Sequence, residues 1–522
     1  MMRLALAVVL GCLLASAADR ELTGRVVDAN TGEPIARAHL TLRFFNVGQP
    51  APELTLLSDA DGSFKITNVP DGQYQVSCDK AGYIPATQMM AAMPPTIHPD
   101  DQRIATMVMK LTAQAAVEGT VVDDRDMPAQ DVSIQLVRQE VINGRRQLQM
   151  NQGGATDETG SFRIFGLPAG RYYISVSARL GGTRRSQLLA YPPFYYPKAT
   201  DIAAAQAIDL KAGDEAEIKI RLPEPVPAYQ VSGVVVGTTN AGVSLIPQES
   251  GTNFQHTVGD LNWDPKTSSF RISHVTPGAY LLQADVMQPG KGPLFASVAV
   301  TVGSANVEGI RLEPVDAALD GTLRMDDGAA TPRAGGSVSA QSERSNNMVR
   351  VDADGTFHIP NLRPGRYRIV PQLNTQACVR SITSGGKDVR DGLAVTAGAA
   401  PDPIEITLTS HCGSVEVDLA ASDQALPPNL TAYLMQKAGD ELVLEKQGYQ
   451  GPRSSDGVWH FLLPGVAPGD YVAYVWPNDA PIEYTSADYM KQFESYGQRV
   501  TVTEDSKATV TIDKPMLMPA KN

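Results

Sequence analysis

A pattern of five residues recurs five times along the 522-residue chain. It reads Phe-x-Ile/Leu-x-x-Val/Leu-x-x-Gly-x-Tyr and keeps the same internal spacing in every copy, at residues 64–74, 162–172, 270–280, 357–367 and 461–471. The distance from one Phe to the next varies between 87 and 108 residues. A constant core with variable connections is typical of duplicated domains, so the chain is predicted to be a tandem array.

The pattern predicts two strands joined by a tight turn. Phe162 and Ile164, two residues apart, point to the same face of a strand. A Pro-Gly or Pro-x-Gly step follows in every copy, and we expect its glycine to take a positive φ. The tyrosine, Tyr172 in this copy, then opens the next strand.

Each repeat also starts and ends alike, which fixes the fold class. Segments like Leu22-Thr-Gly24-Arg-Val open the repeats, and alternating strands like Ile218-Lys-Ile-Arg-Leu222 close them. About seven short strands in roughly 100 residues predict an all-β, Ig-like antiparallel sandwich. The predicted domains are residues 19–113, 114–224, 225–315, 316–411 and 412–522.

The first repeat resembles the carboxypeptidase regulatory-like domain. The stretches that carry the resemblance are Gly24-x-Val-x-Asp28, Thr31-Gly32-Glu-Pro34-Ile35, Asp61-Gly62-x-Phe64, Val69-Pro70-x-Gly72-x-Tyr74 and Ala81-Gly82-Tyr83. The resemblance extends over the later repeats, although Ser269 precedes the Phe of the third and Val458-Trp459 are inserted in the fifth. It implies a transthyretin-like (prealbumin-like) sandwich, grouped with carbohydrate-binding-like folds, in a family that is usually noncatalytic.

Residues 1–18 are predicted to be a signal peptide. Arg3 precedes an apolar run over residues 4–14, and Ala15-Ser16-Ala17 forms a small-x-small cleavage site. A lipoprotein signal acylated at Cys12 is the alternative. No other apolar run approaches 18 residues, so we expect no transmembrane span and an exported protein, in the periplasm, on the outer surface or secreted.

Charge and cysteine content narrow the partners and the compartment. A net charge of −13 repels phosphate backbones, which argues against nucleic acid as a partner. Removal of the signal would leave Cys78, Cys378 and Cys412, which cannot all pair with one another. Export permits disulfides, and Cys378 with Cys412 is the plausible pair; three buried thiols are the alternative.

The sequence holds no recognised catalytic motif. His-Glu-x-x-His, Gly-x-Ser-x-Gly and Gly-x-x-x-x-Gly-Lys are all absent, so we predict a protein that is not an enzyme and has no catalytic residues, cofactor or metal. The seven histidines are scattered and are interpreted as surface or locally satisfied residues.

Two patterns could bind metal but have simpler interpretations. Asp59-x-Asp61-Gly62 and Asp352-x-Asp354-Gly355 are interpreted as turns rather than calcium loops. Met89, Met90 and Met93 with His98 could bind copper but are interpreted as a packed, Met-rich loop.

The densest aromatic patch is the candidate ligand site. Tyr191, Phe194, Tyr195 and Tyr196 could stack on sugar rings or on proline; otherwise they cap their own sandwich. A looser aromatic cluster could likewise bind a ligand or cap its own sandwich. It consists of Trp459, Trp476, Tyr484, Tyr489, Phe493 and Tyr496.

We therefore expect a noncatalytic, extracytoplasmic spacer and binding protein of the bacterial envelope that engages an unidentified protein or carbohydrate. One alternative is a dedicated carbohydrate-binding protein that uses the patch at residues 191–196. The other is an enzyme with a site at a domain junction.

Overall fold

The structure is a computed structural model, and it describes most of the chain in segments. These are residues 21–44, 53–67, 74–85, 96–97, 107–180, 189–248, 258–288, 292–328, 336–342, 345–373, 377–396, 401–420, 426, 430–439, 441–449, 458–478 and 480–517. The predicted signal peptide and the Met-rich segment with His98 lie outside the described residues.

The chain divides into two compact units. The first comprises residues 1–136, 151–176 and 206–222; the second comprises residues 137–150, 177–205 and 223–522.

The first unit contains the strands of the first repeat. They are β1 (Leu22–Asp28), β2 (His39–Phe44), β3 (Glu53–Leu57), β4 (Ser63–Ile66), β5 (Tyr74–Asp79), β6 (Tyr83–Pro85), β7 (Thr96–Ile97) and β8 (Met107–Ala113). Two sheets form, in the orders β4-β1-β8-β6 and β3-β2-β5-β7. Leu40, Leu42, Phe64, Val76 and other buried residues form one core.

The second repeat follows without a spacer. Its elements are β9 (Ala115–Val122), β10 (Ser133–Ile142), β11 (Arg145–Ala155), β12 (Ser161–Leu167), β13 (Gly170–Ser177), β14 (Leu189–Ala190), β15 (Phe194–Tyr195), a 3-10 helix (Ile202–Ala204), β16 (Ile208–Leu210) and β17 (Glu215–Arg221). One sheet has the order β12-β9-β17, and the other includes β11, β10 and β13, with β16 beside β13. The outer part of the β10–β11 hairpin, residues 137–150, belongs to the second unit.

The third repeat lies entirely in the second unit. Its strands, after the short β18 (Val226–Pro227), are β19 (Tyr229–Val235), β20 (Gly242–Pro247), β21 (Asp260–Asp264), β22 (Ser269–Val275), β23 (Gly278–Val286), β24 (Leu294–Val302) and β25 (Val307–Leu312). They form sheets in the orders β21-β22-β19-β25 and β20-β23-β24. β18 pairs with β14 of the same unit.

The described residues of the fourth repeat form nine strands. They are β26 (Leu319–Met325), β27 (Ser337–Gln341), β28 (Asn346–Arg350), β29 (Thr356–Ile359), β30 (Gly365–Gln372), β31 (Cys378–Ser384), β32 (Lys387–Asp388), β33 (Leu393–Val395) and β34 (Ile404–Thr409). The sheets have the orders β29-β26-β34-β31-β32 and β28-β27-β30-β33.

The fifth repeat adds a short helix. Its elements are β35 (Gly413–Leu419), β36 (Leu430–Ala438), β37 (Glu441–Tyr449), β38 (Trp459–Val466), β39 (Gly469–Pro477), α1 (Ala487–Lys491), a 3-10 helix (Glu494–Tyr496), β40 (Gln498–Val502) and β41 (Lys507–Ile512). The sheets have the orders β38-β35-β41 and β37-β36-β39-β40, so β37 is an edge strand.

These strands confirm the all-β prediction of tandem sandwiches, and they also show one parallel pair in every repeat. The first strand of each repeat runs antiparallel to the Phe strand and parallel to the last strand, as β1 does with β4 and β8. The same arrangement recurs around β9, β19, β26 and β35. The five domain boundaries stay a prediction.

The Pro-Gly-Tyr step folds for a reason other than the expected one. The motif glycines of repeats two to five do not take a positive φ. Instead, the ring of the tyrosine that follows two residues later packs against the glycine. A Cβ on Gly278 would lie 3.2 Å from the Tyr280 ring. The hydroxyl donates to a carbonyl four residues upstream, as from Tyr280 to Thr276 at 2.7 Å. The same hydrogen bond closes the turns at Tyr172, Tyr367 and Tyr471.

Candidate functional site

A cleft between the fourth and fifth repeats, both in the second unit, is the strongest candidate site. It encloses about 800 Å³ and is lined by β30 and β31 of the fourth repeat and by β37 of the fifth. Leu373, Val379 and Val443 are among the apolar residues of its wall. Six charged side chains also line it: Arg368, Arg390, Glu445, Lys446, Asp505 and Lys507. Apolar walls with a few converging polar groups are typical of small-molecule sites.

The predicted cysteine pair forms part of the cleft wall. Cys378 on β31 and Cys412, just before β35, are joined in a disulfide with their Cα atoms 5.9 Å apart. The bond therefore joins the fourth repeat to the start of the fifth. Cys78 is a buried free thiol, and burial raises its pKa to about 12. Sequence reasoning identified the pair but not the cleft beside it.

Two of the cleft's cations already have carboxylate partners. Arg390 donates from Nε to both carboxylate oxygens of Asp388, at 3.1 and 3.0 Å, and also hydrogen-bonds Gln436. The Asp388 hydrogen bond is the main cause that raises the pKa of Arg390. Lys507 Nζ lies 2.7 Å from Glu416 Oε2. These two charges are largely neutralised within the fold.

Two other cations lack such a partner. Within the described part of the chain, no carboxylate lies within ion-pair distance of Arg368 or Lys446. Arg368 donates instead to the backbone carbonyl of Leu444 at 2.8 Å and hydrogen-bonds Tyr484. The Leu444 contact covers an exposed carbonyl of edge strand β37 and leaves the guanidinium charge uncompensated.

Glu445 enters the cleft because β37 contains a bulge. Leu434 pairs with Lys446 and Met435 pairs with Leu444, so Glu445 is the extra residue. A bulge re-aims the side chain of its extra residue. Burial raises the pKa of Glu445 although Lys446, Arg390 and Arg368 act in the opposite direction. The cleft thus contains a carboxyl whose pKa lies above the ordinary value of 4.5.

A second cavity, of about 190 Å³, shares Arg368 and Arg390 with the cleft. Its other side is the tip of the β10–β11 hairpin, residues 142–147, which belongs to the same unit as the fifth repeat. Asn143 and Gly144 have φ of 50° and 73° and form the two-residue turn.

The hairpin tip is fastened to the fifth repeat by several contacts. Arg145 forms an ion pair with Glu441 at 2.5 Å, and Arg146 does so with Glu483. Thr485 Oγ1 donates to the Gly144 carbonyl at 2.7 Å. Sequence reasoning missed this contact. The signal that could have found the turn is Asn143-Gly144 between two strand-like runs, which is the strongest short-range hairpin signal.

The aromatic patch that was the candidate ligand site is mostly buried. Tyr191 is 8%, Phe194 6% and Tyr195 1% exposed, and Tyr196 is half-buried. A ring covered on both faces has none to offer a sugar or a proline. The residues pack into the protein, which corresponds to the capping alternative, and we do not carry the patch forward as a ligand platform.

The second aromatic cluster also lies against its own sandwich. Trp476 stacks on Tyr433 with ring centroids 3.9 Å apart, and Tyr484 is buried beside them. Tyr489, Phe493 and Tyr496 pack on this group and are partly buried. Trp459 lies elsewhere, against the main core of the fifth repeat. The long connection after β39 therefore folds back over the β36–β39 face.

The described histidines are each paired with an aspartate. His39, His274, His358, His411 and His460 have Nδ1 between 2.7 and 3.6 Å from a carboxylate oxygen. One of these pairs belongs to a group of three residues that could bind a metal ion: Glu416, Asp418 and His460 place ligand atoms within 4.8 Å of one another. The ammonium of Lys507 already binds Glu416, so we assign these residues to an ion-pair network.

The two Asp-x-Asp-Gly segments form turns. Asp61 Oδ1 accepts from the backbone nitrogen of Ser63 at 3.0 Å and from its hydroxyl at 2.6 Å. Asp354 does the same with Thr356. These hydrogen bonds lower the pKa of both aspartates and fix the entry to the Phe strand.

Comparison with known proteins gives a family match for two tandem regions of the chain. Residues 21–110 and 116–223 match the model of the carboxypeptidase regulatory-like domain. The identification made from the motifs is thereby confirmed for two tandem regions. A search of curated protein sequences gave no significant match.

Several solved structures of pilins align with part of the chain. A streptococcal ancillary pilin is 15% identical and covers 57% of this chain and 99% of its own, with a TM-score of 0.19. The minor pilin GBS52 of Streptococcus agalactiae is 15% identical over 40% of this chain and 99% of its own, with a TM-score of 0.22. The major pilin subunit BcpA of Bacillus cereus is 11% identical over 57% and 99%, with a TM-score of 0.17. TM-scores of this size carry no argument about function.

Proposed function

We propose that the protein is an exported, noncatalytic binding and spacer protein of the bacterial envelope, which engages a protein or carbohydrate ligand. The observation that carries this proposal is the cleft beside the Cys378–Cys412 disulfide, since it is a ligand-sized cavity at a junction between two sandwich repeats.

The compartment is supported by the disulfide. Disulfides form and persist in oxidising compartments and are rare in the cytosol. Among the described residues, no helix is long and apolar enough to span a membrane. In an oxidising compartment the exported chain would form the Cys378–Cys412 bond.

Two observations support the proposal that the protein is noncatalytic: the family match and the pairing of a carboxylate in the cleft. Regulatory-like domains are generally noncatalytic, and two regions of the chain match that family. The cleft lining includes Glu445 and Asp505, but Asp505 is already paired with His411 at 2.8 Å. A general acid–base pair would need two groups free to exchange protons with a substrate.

A fractionation experiment tests export and oxidation together. The tagged full chain is expressed in a bacterium, and thiols in each denatured fraction are labelled with a maleimide-polymer before and after reduction. We expect the chain outside the cytoplasm, with Cys378 and Cys412 labelled only after reduction. The matched control lacks residues 2–17 and should stay cytoplasmic and label without reduction. A full chain that behaves like this control would refute the proposal.

Binding is tested on the exported chain. Purified protein is sedimented with isolated bacterial envelopes, and saturable binding is expected. The same protein is incubated with panels of peptide and glycoside substrates, where no turnover is expected. Absence of saturable binding, or turnover that scales with protein concentration, would contradict the proposal.

A further inference from the structure

Some charged groups that line the cleft between the fourth and fifth repeats form ion pairs, and others do not. Arg390 and Lys507 have carboxylate partners at 3.0 and 2.7 Å. Arg368 and Lys446 have none within the described residues. The unpaired carboxyl facing them is Glu445, which burial drives toward its neutral form. Two unpaired cations thus face one unpaired carboxyl, which leaves the lining with a net positive charge.

Size and wall chemistry limit what could neutralise this charge. A volume of about 800 Å³ lies within the range of small-molecule sites. Leu373, Val379 and Val443 line the same space and suit a carbon skeleton. The chain as a whole carries a net charge of −13, which repels long polyanions while leaving a small anion able to enter a locally positive cleft.

A carboxylate fits the geometry of the cations. A guanidinium presents a planar fork of donors that matches the two oxygens of a carboxylate, and a lysine adds a mobile point charge. Arg368 Nη2 already contacts the Leu444 carbonyl, which fixes the guanidinium at the cleft wall. Glu445 lines the same cleft and adds a third polar group beside the two cations.

We propose that the cleft between the fourth and fifth repeats binds a small organic anion with carboxylate groups, held by Arg368 and Lys446. The inference goes beyond the proposed function, which names a protein or carbohydrate ligand, and rests on it only in taking the same cleft as a ligand site. Glu445, as the bulged residue of β37, acts as the third polar contact.

The test is titration of the purified full-length chain with citrate by calorimetry at low ionic strength. We expect saturable binding that is weakened about tenfold by Arg368→Gln and by Lys446→Met, since a hydrogen bond to a charged group contributes that order of affinity. The matched control is Lys387→Met, because Lys387 is exposed on β32 and does not line the cleft. This control should bind citrate as the unaltered chain does.

Several outcomes would overturn the inference. If citrate gives no saturable heat, the cleft has no anion site. The same conclusion follows if citrate binds equally well to both cleft variants and to the control. Equal affinity for inorganic phosphate would refute the assignment to carboxylates. Arg368→Gln also removes the contact to Leu444, so thermal unfolding is measured for each variant, and Lys446→Met decides the result if Arg368→Gln fails to fold.

The two proposals fail separately. A chain that is exported and binds envelopes but ignores citrate would refute the carboxylate site alone. A chain that stays reduced in the cytoplasm would refute the proposed function whatever its affinity for citrate.

Discussion

The aromatic segment at residues 191–196 and the cleft beside the disulfide are opposite kinds of region. In the segment, three rings with less than 10% exposure have already been used for packing. In the cleft, two cations lack carboxylate partners among the described residues. The aromatic composition of the segment makes it the more conspicuous candidate. The charged groups that still lack a partner, however, are in the cleft. A binding region is better recognised by what its groups have left to bond than by its residue types.

The largest predicted effect is a loss of folding stability when a buried ring of the aromatic segment is removed. Replacing Tyr195, which is 1% exposed, with alanine should cost about 3–5 kcal/mol, as for other buried aromatic rings. Calorimetric unfolding of the variant measures the loss. Tyr196→Ala, at a half-buried neighbour, is the control and should cost clearly less. A loss below about 1 kcal/mol for Tyr195→Ala would mean that the ring is not a packing residue.

The strands were predictable because their signal is local. Phe and Ile two residues apart mark one strand face, and Tyr two residues after Gly marks the next strand. In the opening motif, a Cβ on Gly24 would lie 2.4 Å from the Phe64 ring, so the repeated glycine makes room for the repeated Phe. In the fifth repeat Val417, and not a glycine, lies opposite Phe461, so the opening segment of that repeat departs from the pattern.

The site was harder to predict because its contacts are distant in sequence. Gly144 and Thr485 are 341 residues apart, and Arg368 and Leu444 are 76 apart. The bulge that turns Glu445 into the cleft depends on pairing with β36, which leaves no mark in the sequence of β37. The disulfide partners were predictable from their count and position, but the cavity beside them needed the packing of two repeats.

An intermediate effect tests whether the hairpin is held against the fifth repeat. Gly144 and Gly328 have nearly equal φ, 73° and 71°, but a Cβ on Gly144 would lie 2.5 Å from the Tyr484 ring, whereas a Cβ on Gly328 would contact nothing within 4 Å. Gly328→Ala should therefore show backbone strain alone, about 1 kcal/mol. Gly144→Ala should cost about 1–3 kcal/mol more because of overpacking.

Hydrogen exchange shows which residues are destabilised by the Gly144→Ala substitution. In Gly144→Ala, faster exchange is expected at residues 480–496 and 441–446, and in Gly328→Ala it should be unchanged there. Equal stability losses in the two variants would show that the turn does not press on Tyr484. Unaltered exchange at residues 480–496 in Gly144→Ala would contradict the fastening of the hairpin to the fifth repeat.

The smallest effect concerns the carboxyl in the cleft and its response to pH. The groups that act on Glu445 are Lys446 on its own strand, Arg368 on β30, Arg390 in the connection before β33 and Tyr471 on β39. Because burial raises the folded-state pKa of Glu445, the native state binds more protons than the unfolded state between the ordinary pKa of 4.5 and the raised value. The contribution of Glu445 to stability is thus fully present below pH 4.5 and is lost as pH rises through the folded-state pKa.

Urea unfolding from pH 4 to pH 8 measures this loss by comparing the unaltered chain with Glu445→Gln. The variant should lack this fall in stability above the ordinary pKa of Glu445, so the difference between the two chains should grow in favour of the variant as pH rises. Glu308→Gln, at an exposed glutamate on β25, should follow the unaltered chain. A constant difference across the range would mean that Glu445 titrates as a solvent-exposed carboxylate does, and the cleft would then hold a negative charge opposite Arg368 and Lys446 at neutral pH.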